Sequence, residues 1–404
     1  MVWDSDLARF STTLLSALFI TSASFVPFIT IKNAVASPLL TPPPTPYYAG
    51  PEPHTLPNTQ AGSPPPDGLY PDPEPCRGNC SWIHDPSVWY ENGTYWRFST
   101  SGNIAIATAP SLGGPWRYQG ALLHNGTDIY VTDGQDIWAP SVTKRGNTYY
   151  CHYSVSEIGL QNSSIGVATS LSLSPGSWQD HGSIGLPLSD KYNLIDPFVY
   201  QESPGRPIYF SFGSFWNGIF QVDLEPHDDM KAFGGWAFQN NRINNIIRNG
   251  TADALVAEGA IMYKEKEFYY IFYSVGFCCR TPESGLAPDD QVYRVVVCRA
   301  ETPKGPFYDR EGKDCLEEDG GTTILASHGD VYAPGGQGVM VHPENGRTVM
   351  YYHYGKAQTG TWTLVVSFLT VVLVRPSVGY EAEDFFFGYN YLDWENGWPV
   401  VVAA

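Results

Sequence analysis

The chain has 404 residues, room for two or three average domains or one large repeat fold, and it carries Gly 40, Pro 33 and 14% aromatic residues without any long stretch of helical period. That balance favours strands and turns over helix bundles. Its 23 basic against 41 acidic residues, a formal charge of -18, would repel a phosphate backbone and leave no basic stripe, which excludes a nucleic-acid partner; a neutral polysaccharide fits, and solubility is the plainer account of the acidity.

Residues 12–31 are apolar with scattered Ser and Thr, follow Arg9, and lead to Ala34-Val35-Ala36. This pattern predicts a secretory signal peptide over residues 1–36, although Asp4 and Asp6 weaken its basic start and its length also suits an uncleaved anchor. Five N-x-S/T sequons, at Asn79, Asn92, Asn125, Asn162 and Asn249, agree with a secreted, extracellular product. Residues 37–75 are dense in Pro without apolar periodicity and predict an extended linker, so the folded domain is expected over residues 76–404. The seven cysteines, Cys76, Cys80, Cys151, Cys278, Cys279, Cys298 and Cys315, lack paired C-x-x-C knuckles. They argue against structural zinc and for one or more disulfides with at least one free thiol; the adjacent Cys278 and Cys279 either form a strained vicinal bridge or pair elsewhere.

From Cys76 onward one phrase recurs: a polar turn, a strand opening on Pro or Gly, a second turn, and a strand rich in Tyr, Phe and Ser. The copies are IHDPSVWYENGTYWRFST, IWAPSVTKRGNTYYCHYS, LIDPFVYQESPGRPIYFSFGS, VAEGAIMYKEKEFYYIFYS and YAPGGQGVMVHPENGRTVMYYHY, anchored at Pro86, Pro140, Pro197, Gly259 and Pro334. Related third strands, NIAIATAPSLGGPW and SIGVATSLSLSPGSW, close on turns carrying Trp116 and Trp178, which are expected to pack between repeats. The intervals leave room for four strands each, so the predicted fold is an all-β, five-bladed β-propeller.

Immediately before the anchors stand Asp85, Ala139, Asp196, Glu258 and Ala333. A lone acid before Pro is ordinarily a turn cap. Acids at three of five equivalent positions, aimed at one mouth of a central channel, instead propose chemistry. Paired carboxyls flanking a glycosidic bond are the usual apparatus of glycoside hydrolysis, one protonating the leaving oxygen and the other activating water or attacking. A proton donor that is partly desolvated beside a second negative charge has its pKa raised, which keeps it protonated near neutrality.

The motifs IHDPS, YNLIDP, VAEGA and SFGSFW resemble those of glycoside hydrolase family 43, specifically its endo-1,5-α-L-arabinanases of fungal type, over residues 76–354 and again over 375–402. The resemblance implies a five-bladed propeller that cleaves internal α-1,5-L-arabinofuranosidic bonds of arabinan with inversion, acting as a monomer without a protein partner. It makes Asp85 the general base, Glu258 the general acid, and Asp196 the residue that raises the acid's pKa and orients it. It further implies substrate contacts from Asp85, Asp196, Trp138, Gly166, Asn193, Ser214, Phe215 and Trp216. His328 in SHGDVYAPGGQG matches the family's channel histidine, which holds a metal ion, usually calcium, mainly through waters. His84 either positions Asp85 or bonds backbone.

One segment departs from the family. GKAQTGTWTLVVSFLTVVLV, residues 355–374, is an apolar run where YYHY is expected to lead almost directly into RPSVGY. Gly355-Lys356 is what an intron donor site encodes and the length suits a short fungal-type intron, so the segment reads as retained intron sequence. Two rival functions stay open on the sequence: an exo-acting arabinofuranosidase or β-xylosidase with one cleft end closed, and a carbohydrate-binding propeller whose acids only contact sugar hydroxyls.

Overall fold

The computed structural model describes residues 70–224, 243–248, 256–278, 287, 289–356, 363–367, 370–374 and 385–404. All of them lie in one compact unit, Gly50–Ala404. The signal segment, most of the linker and Asn249 fall outside the described residues.

Five antiparallel sheets of four strands each follow one another along the chain. Blade one is β1 Ser87–Glu91, β2 Thr94–Ser99, β3 Ala105–Ala109 and β4 Arg117–Ala121. Blade two is β5 Asp136–Arg145, β6 Thr148–Ser156, β7 Ser164–Ser170 and β8 Gln179–Ser183. Blade three is β9 Phe198–Gln201, β10 Ile208–Phe212, β11 Ile219–Leu224 and β12 Asn244–Ile247. Blade four is β13 Ala257–Glu265, β14 Phe268–Val275, β15 Arg294–Ala300 and β16 Thr322–Leu325. Blade five begins with β17 Val331–Val341 and β18 Thr348–Lys356. A separate hairpin, β19 Thr363–Ser367 and β20 Thr370–Val374, precedes its last two strands, β21 Phe385–Glu395 and β22 Trp398–Val402. The expected five-bladed propeller is the fold.

The ring is held by side chains between blades, because a four-stranded sheet buries its faces only against its neighbours. Blades one and two meet through Phe98, Ile106, Tyr149 and Tyr153, and blades two and three through Tyr150, Val167, Phe210 and Phe212. Blades three and four share Ile219, Ile247, Met262 and Ile271, while Phe272, Val297, Met350 and Tyr352 join four to five. Val88, Tyr95, Val349, Tyr351 and Phe387 close five onto one. Each such aromatic or aliphatic side chain contributes about 1.5–3 kcal/mol on full burial. Trp116 is buried in the closing interface with the Arg97 guanidinium 4.6 Å from its ring, and Trp178 meets Phe98 edge-on at 5.9 Å.

Closure also uses backbone ahead of β1. Ser81 bridges Phe386, Phe387 N–H donates to Cys80 O at 2.8 Å, and Glu74 N–H donates to Tyr389 O at 2.9 Å. Tyr70 packs on the blade four to five core and Asn390 donates to Asp72 O at 2.9 Å, so the packed domain starts ahead of the expected Cys76. Disulfides join Cys76 to Cys80 and Cys298 to Cys315; Cys278 is also disulfide-bonded, and Cys151 is a buried thiol.

The hairpin β19–β20 stands outside the blade: β18 pairs directly with β21, Tyr351 opposite Tyr389 and Gly355 opposite Phe385. Blade five thus completes its four strands without the hairpin; of the described residues of the unexpected segment only Gly355 and Lys356 enter the blade, as the end of β18.

Candidate active site

Every inner strand enters the ring from the same face, and each entry carries a residue in the left-handed backbone region: Asp85 (φ 43), Ala139 (φ 46), Asp196 (φ 55), Gly259 (φ 62) and Ala333 (φ 48). A bulge follows, with Trp138 opposite Ser154, Glu258 opposite Ser274 and Tyr332 opposite Gly355. This register corrects the expected phase in blade four. Gly259, not Glu258, is the counterpart of the two aspartates, and Glu258 shares its ring position with Trp138 and Tyr332. Glycine takes the strained position there at no steric cost, and Ala260 stands where other blades have Pro.

The one-residue offset brings the acids together from different directions. The inner strands enclose a cavity of about 380 Å³ whose lining includes Asp85, Asp196, Gly259 and Gly336. Asp196 Oδ2 accepts the Gly259 N–H at 3.0 Å. Asp85 Oδ2 accepts from Thr100 Oγ1 at 2.9 Å. Both oxygens of Glu258 are held by hydroxyls, Oε1 by Tyr293 at 2.7 Å and Oε2 by Ser214.

Burial is the first cause that raises all three carboxyls above their ordinary range. For Asp196, raised furthest, the charges of Glu258 and Asp85 add to it, while the Gly259 N–H opposes. For Glu258 the Ser214 and Tyr293 hydroxyls oppose burial and the Asp85 charge adds to it. Nearby His84 and the Thr100 hydroxyl hold Asp85 down. Asp85 keeps 30% of its side-chain surface open, on the channel, so water reaches a carboxyl that the wall still desolvates. With charges this close, protons leave the cluster in shared steps.

Among the expected substrate residues, Ser214, Phe215 and Trp216 form the turn after β10, with Ser214 on Glu258 and Phe215 48% exposed. Trp138 is half-buried at the mouth, its Nε1–H toward Asp136 Oδ2 at 3.3 Å. Asn193 is buried, and its Oδ1 has no partner among the described residues. Gly166 departs from expectation: it is buried in β7 beneath Tyr153, whose ring carbon would lie 2.3 Å from an added Cβ, so packing accounts for the glycine.

His328 also departs. Its Nδ1 faces Ala326 O at 2.8 Å and its Nε2 faces Pro71 O at 3.1 Å, with Tyr70 beside the ring. Both nitrogens are engaged by carbonyls, so this histidine does not fit the expected channel calcium ligand. The described residues do bring His84, His353 and Cys278 within 4.8 Å of one another. The Cys278 sulfur is tied in a disulfide, which removes the thiolate such a group would need.

The sequence reading missed Tyr293, Thr100, Ser154 and His353. A signal existed for the hydroxyls: RFST, HYSVS and FYSV place Thr100, Ser154 and Ser274 at one point of the repeat.

The sequence matches the family model described as Glycosyl hydrolases family 43 over residues 81–367. It is 38% identical to "Arabinan endo-1,5-alpha-L-arabinosidase A" of Aspergillus aculeatus, over 82% of this chain and 94% of that one. It is 40% identical to "Probable arabinan endo-1,5-alpha-L-arabinosidase A" of Aspergillus oryzae, again over 82% of this chain and 94% of the relative. Among solved structures, Cellvibrio cellulosa α-L-arabinanase complexed with arabinohexaose superposes with a TM-score of 0.62 at 23% identity, covering 79% of this chain and 95% of that one. An exo-1,5-α-L-arabinanase from a bovine ruminal metagenomic library does so equally, with TM-score 0.62, 23% identity, and 83% and 98% covered. These two likenesses bear on the ring alone. The sequence matches reach further, since they extend along most of both chains and include all three acid-bearing blades: the chain belongs to family 43 of the glycosyl hydrolases.

Proposed function

We propose that this enzyme hydrolyses internal α-1,5-L-arabinofuranosidic bonds of arabinan with inversion at the anomeric carbon. Glu258 protonates the leaving oxygen, and Asp85 takes a proton from the water that attacks the opposite face of the sugar. Asp196, joined to the peptide after Glu258, orients the acid and titrates with it, its own carboxyl being the one raised furthest. No step is routed through a metal ion.

The observation that carries this reading is the asymmetry of the carboxyls. Glu258 has both oxygens gripped by buried hydroxyls, whereas Asp85 opens to the channel from blade one, with blade five between them. One is built to deliver a proton at a fixed point and the other to meet water.

The choice of arabinan rests on the relatives' names at 38–40% identity and on the face around the mouth. Its loops expose Trp82, Tyr130, Ile158, Leu160, Leu188 and Phe215, apolar surface of the kind on which sugar faces stack. The same reading makes the enzyme an extracellular monomer. Asn79, Asn92, Asn125 and Asn162 are exposed, as glycan acceptors must be.

The test is digestion of linear 1,5-arabinan and of xylan, followed by chromatography and by NMR of the first products. Arabino-oligosaccharides of mixed length, released initially as β-anomers, are expected. Arabinose alone would assign exo action, xylose release would assign the substrate elsewhere, and binding without hydrolysis would leave a lectin.

A further inference from the structure

The strained entries Ala139 and Asp196 are each held by a hydroxyl at the end of the preceding blade's second strand, whereas the Gly259 N–H donates to Asp196 Oδ2 and the Ala333 N–H to Ser327 Oγ. A left-handed backbone is strained for any residue but glycine, and a hydrogen bond to its amide offsets part of that strain. Ala139 N–H donates to Thr100 Oγ1 at 2.9 Å, and Asp196 N–H donates to Ser154 Oγ at 2.9 Å. Thr100, Ser154 and Ser274 occupy one register position at the end of each second strand.

Blades three and five break the series, since Gly213 and Gly355 hold that position and have no hydroxyl. The amide of Asp85 donates instead to His353 Nδ1 at 3.0 Å, two residues earlier on β18. The register partners of His353 are Phe98 in blade one, His152 in blade two and Phe272 in blade four. Ser211 holds this place in blade three and aromatic rings hold it in the others, and here a nitrogen is turned toward the residue before Pro86.

The surroundings are cut to admit that ring. Gly336 has φ 55, and a Cβ there would stand 2.5 Å from Asp85 Oδ1 and 2.6 Å from His353 Nδ1. At Gly335 a Cβ would lie 1.9 Å from the Tyr293 ring. Tyr293 in turn lies nearly parallel to His353, at 7° with centroids 6.0 Å apart, and donates to Glu258. A nitrogen that accepts from a backbone N–H carries no proton, so His353 is the Nε2–H tautomer, and Nε2 faces Cys278 Sγ at 4.0 Å. Burial keeps the ring neutral, lowering its pKa to about 3.

We propose that His353 is the positioning residue of the base: by accepting the Asp85 amide it fixes the left-handed peptide and so the direction in which the Asp85 carboxylate meets the attacking water. Through Tyr293 the same ring is braced against the group that holds Glu258, so base and acid share one buried support. This rests on reading Asp85 as the base.

Three variants test it on linear 1,5-arabinan, with circular dichroism and melting temperature as controls of the fold. His353→Phe installs the residue that β2 and β14 carry at this place; His353→Asn keeps an acceptor near Nδ1; His353→Gln does not. His353→Phe is expected to lower kcat about 10–100-fold, as small misplacements of reacting groups do, with KM within about twofold. His353→Asn is expected to recover much of that loss and His353→Gln little. Wild-type kcat in a folded His353→Phe overturns the proposal, and so do Asn and Gln variants of equal activity, a comparison that decides the matter if the Phe variant does not fold. Asp85→Asn run alongside separates the two readings: activity there removes Asp85 as base, whereas an inactive Asp85→Asn beside an active His353→Phe removes only the positioning role.

Discussion

Asp196 Oδ2 accepts the backbone N–H of Gly259 at 3.0 Å, which fastens the aspartate of blade three to the residue after the glutamate of blade four. The third acid therefore acts on the second at short range and through the backbone.

Asp85→Asn and Glu258→Gln each remove a proton acceptor or donor while keeping the side chain's shape. Each is expected to lower kcat on the order of 10²–10⁴-fold, with an unchanged far-ultraviolet spectrum. Loss of activity together with loss of fold would show a structural role instead.

Asp196→Asn and Tyr293→Phe should move the alkaline limb of the pH profile in opposite directions. That limb reports the acid losing its proton. Asp196 and Glu258 repel each other's charge, so a neutral amide in place of Asp196 eases ionisation of Glu258 and moves the limb to lower pH. Removing the Tyr293 hydroxyl, which holds Glu258 down, moves it up. Both are read from kcat/KM against pH; a shared direction would contradict the charge assignments.

Stability should answer to the same cluster. All three carboxyls have raised native pKa values, so the folded chain binds protons that the unfolded chain releases. The sign follows: their contribution is least unfavourable below the unfolded value near ~4 and worsens as pH rises through the native values. The triple variant Asp85→Asn, Asp196→Asn, Glu258→Gln is therefore expected to melt at a higher temperature than wild type at pH 7. The difference should close below about pH 4.

Deletion of residues 355–374 is expected to preserve blade five, because it takes from the blade only Gly355 and Lys356 at the end of β18, while Thr348–Tyr354 keep their partners on β21 and the hairpin belongs to neither strand. We propose that the segment is retained intron sequence. The shortened chain should melt no lower than the full one and keep its activity, and a transcript spanning codons 350–380 should lack the segment. A cDNA containing all of it would overturn the proposal.

The repeat was legible because a propeller asks the same thing of each blade: a Pro-anchored inner strand and a second strand of aromatic and hydroxyl residues. Blade four was misread by one place. The strained entry there is taken by Gly259, which looks like an anchor, and no Pro marks Ala260. Asp85 and Asp196 showed themselves because the strained residue is also the chemical one. His353 and Tyr293 did not, since they reach the mouth from β18 and from the residue before β15, far along the chain from the acids they serve. His328 misled for the converse reason: its motif fits, but what its two nitrogens touch is decided by Pro71 and Ala326.

The bond between Glu74 and Tyr389, and the bridge from Ser81 to Phe386, set a timetable for synthesis. Blade one leaves the ribosome early, yet Phe387, Tyr389 and the strand that cover its outer side are almost the last to appear. At about 5–20 residues per second the nascent chain carries an unclosed ring, with Tyr95 and Trp116 uncovered, for roughly 15–60 s. That interval is when the chain most needs a chaperone. A product ending before Phe385 never leaves it, so shortening the carboxyl end is expected to yield insoluble protein even though every acid of the active site has already been made.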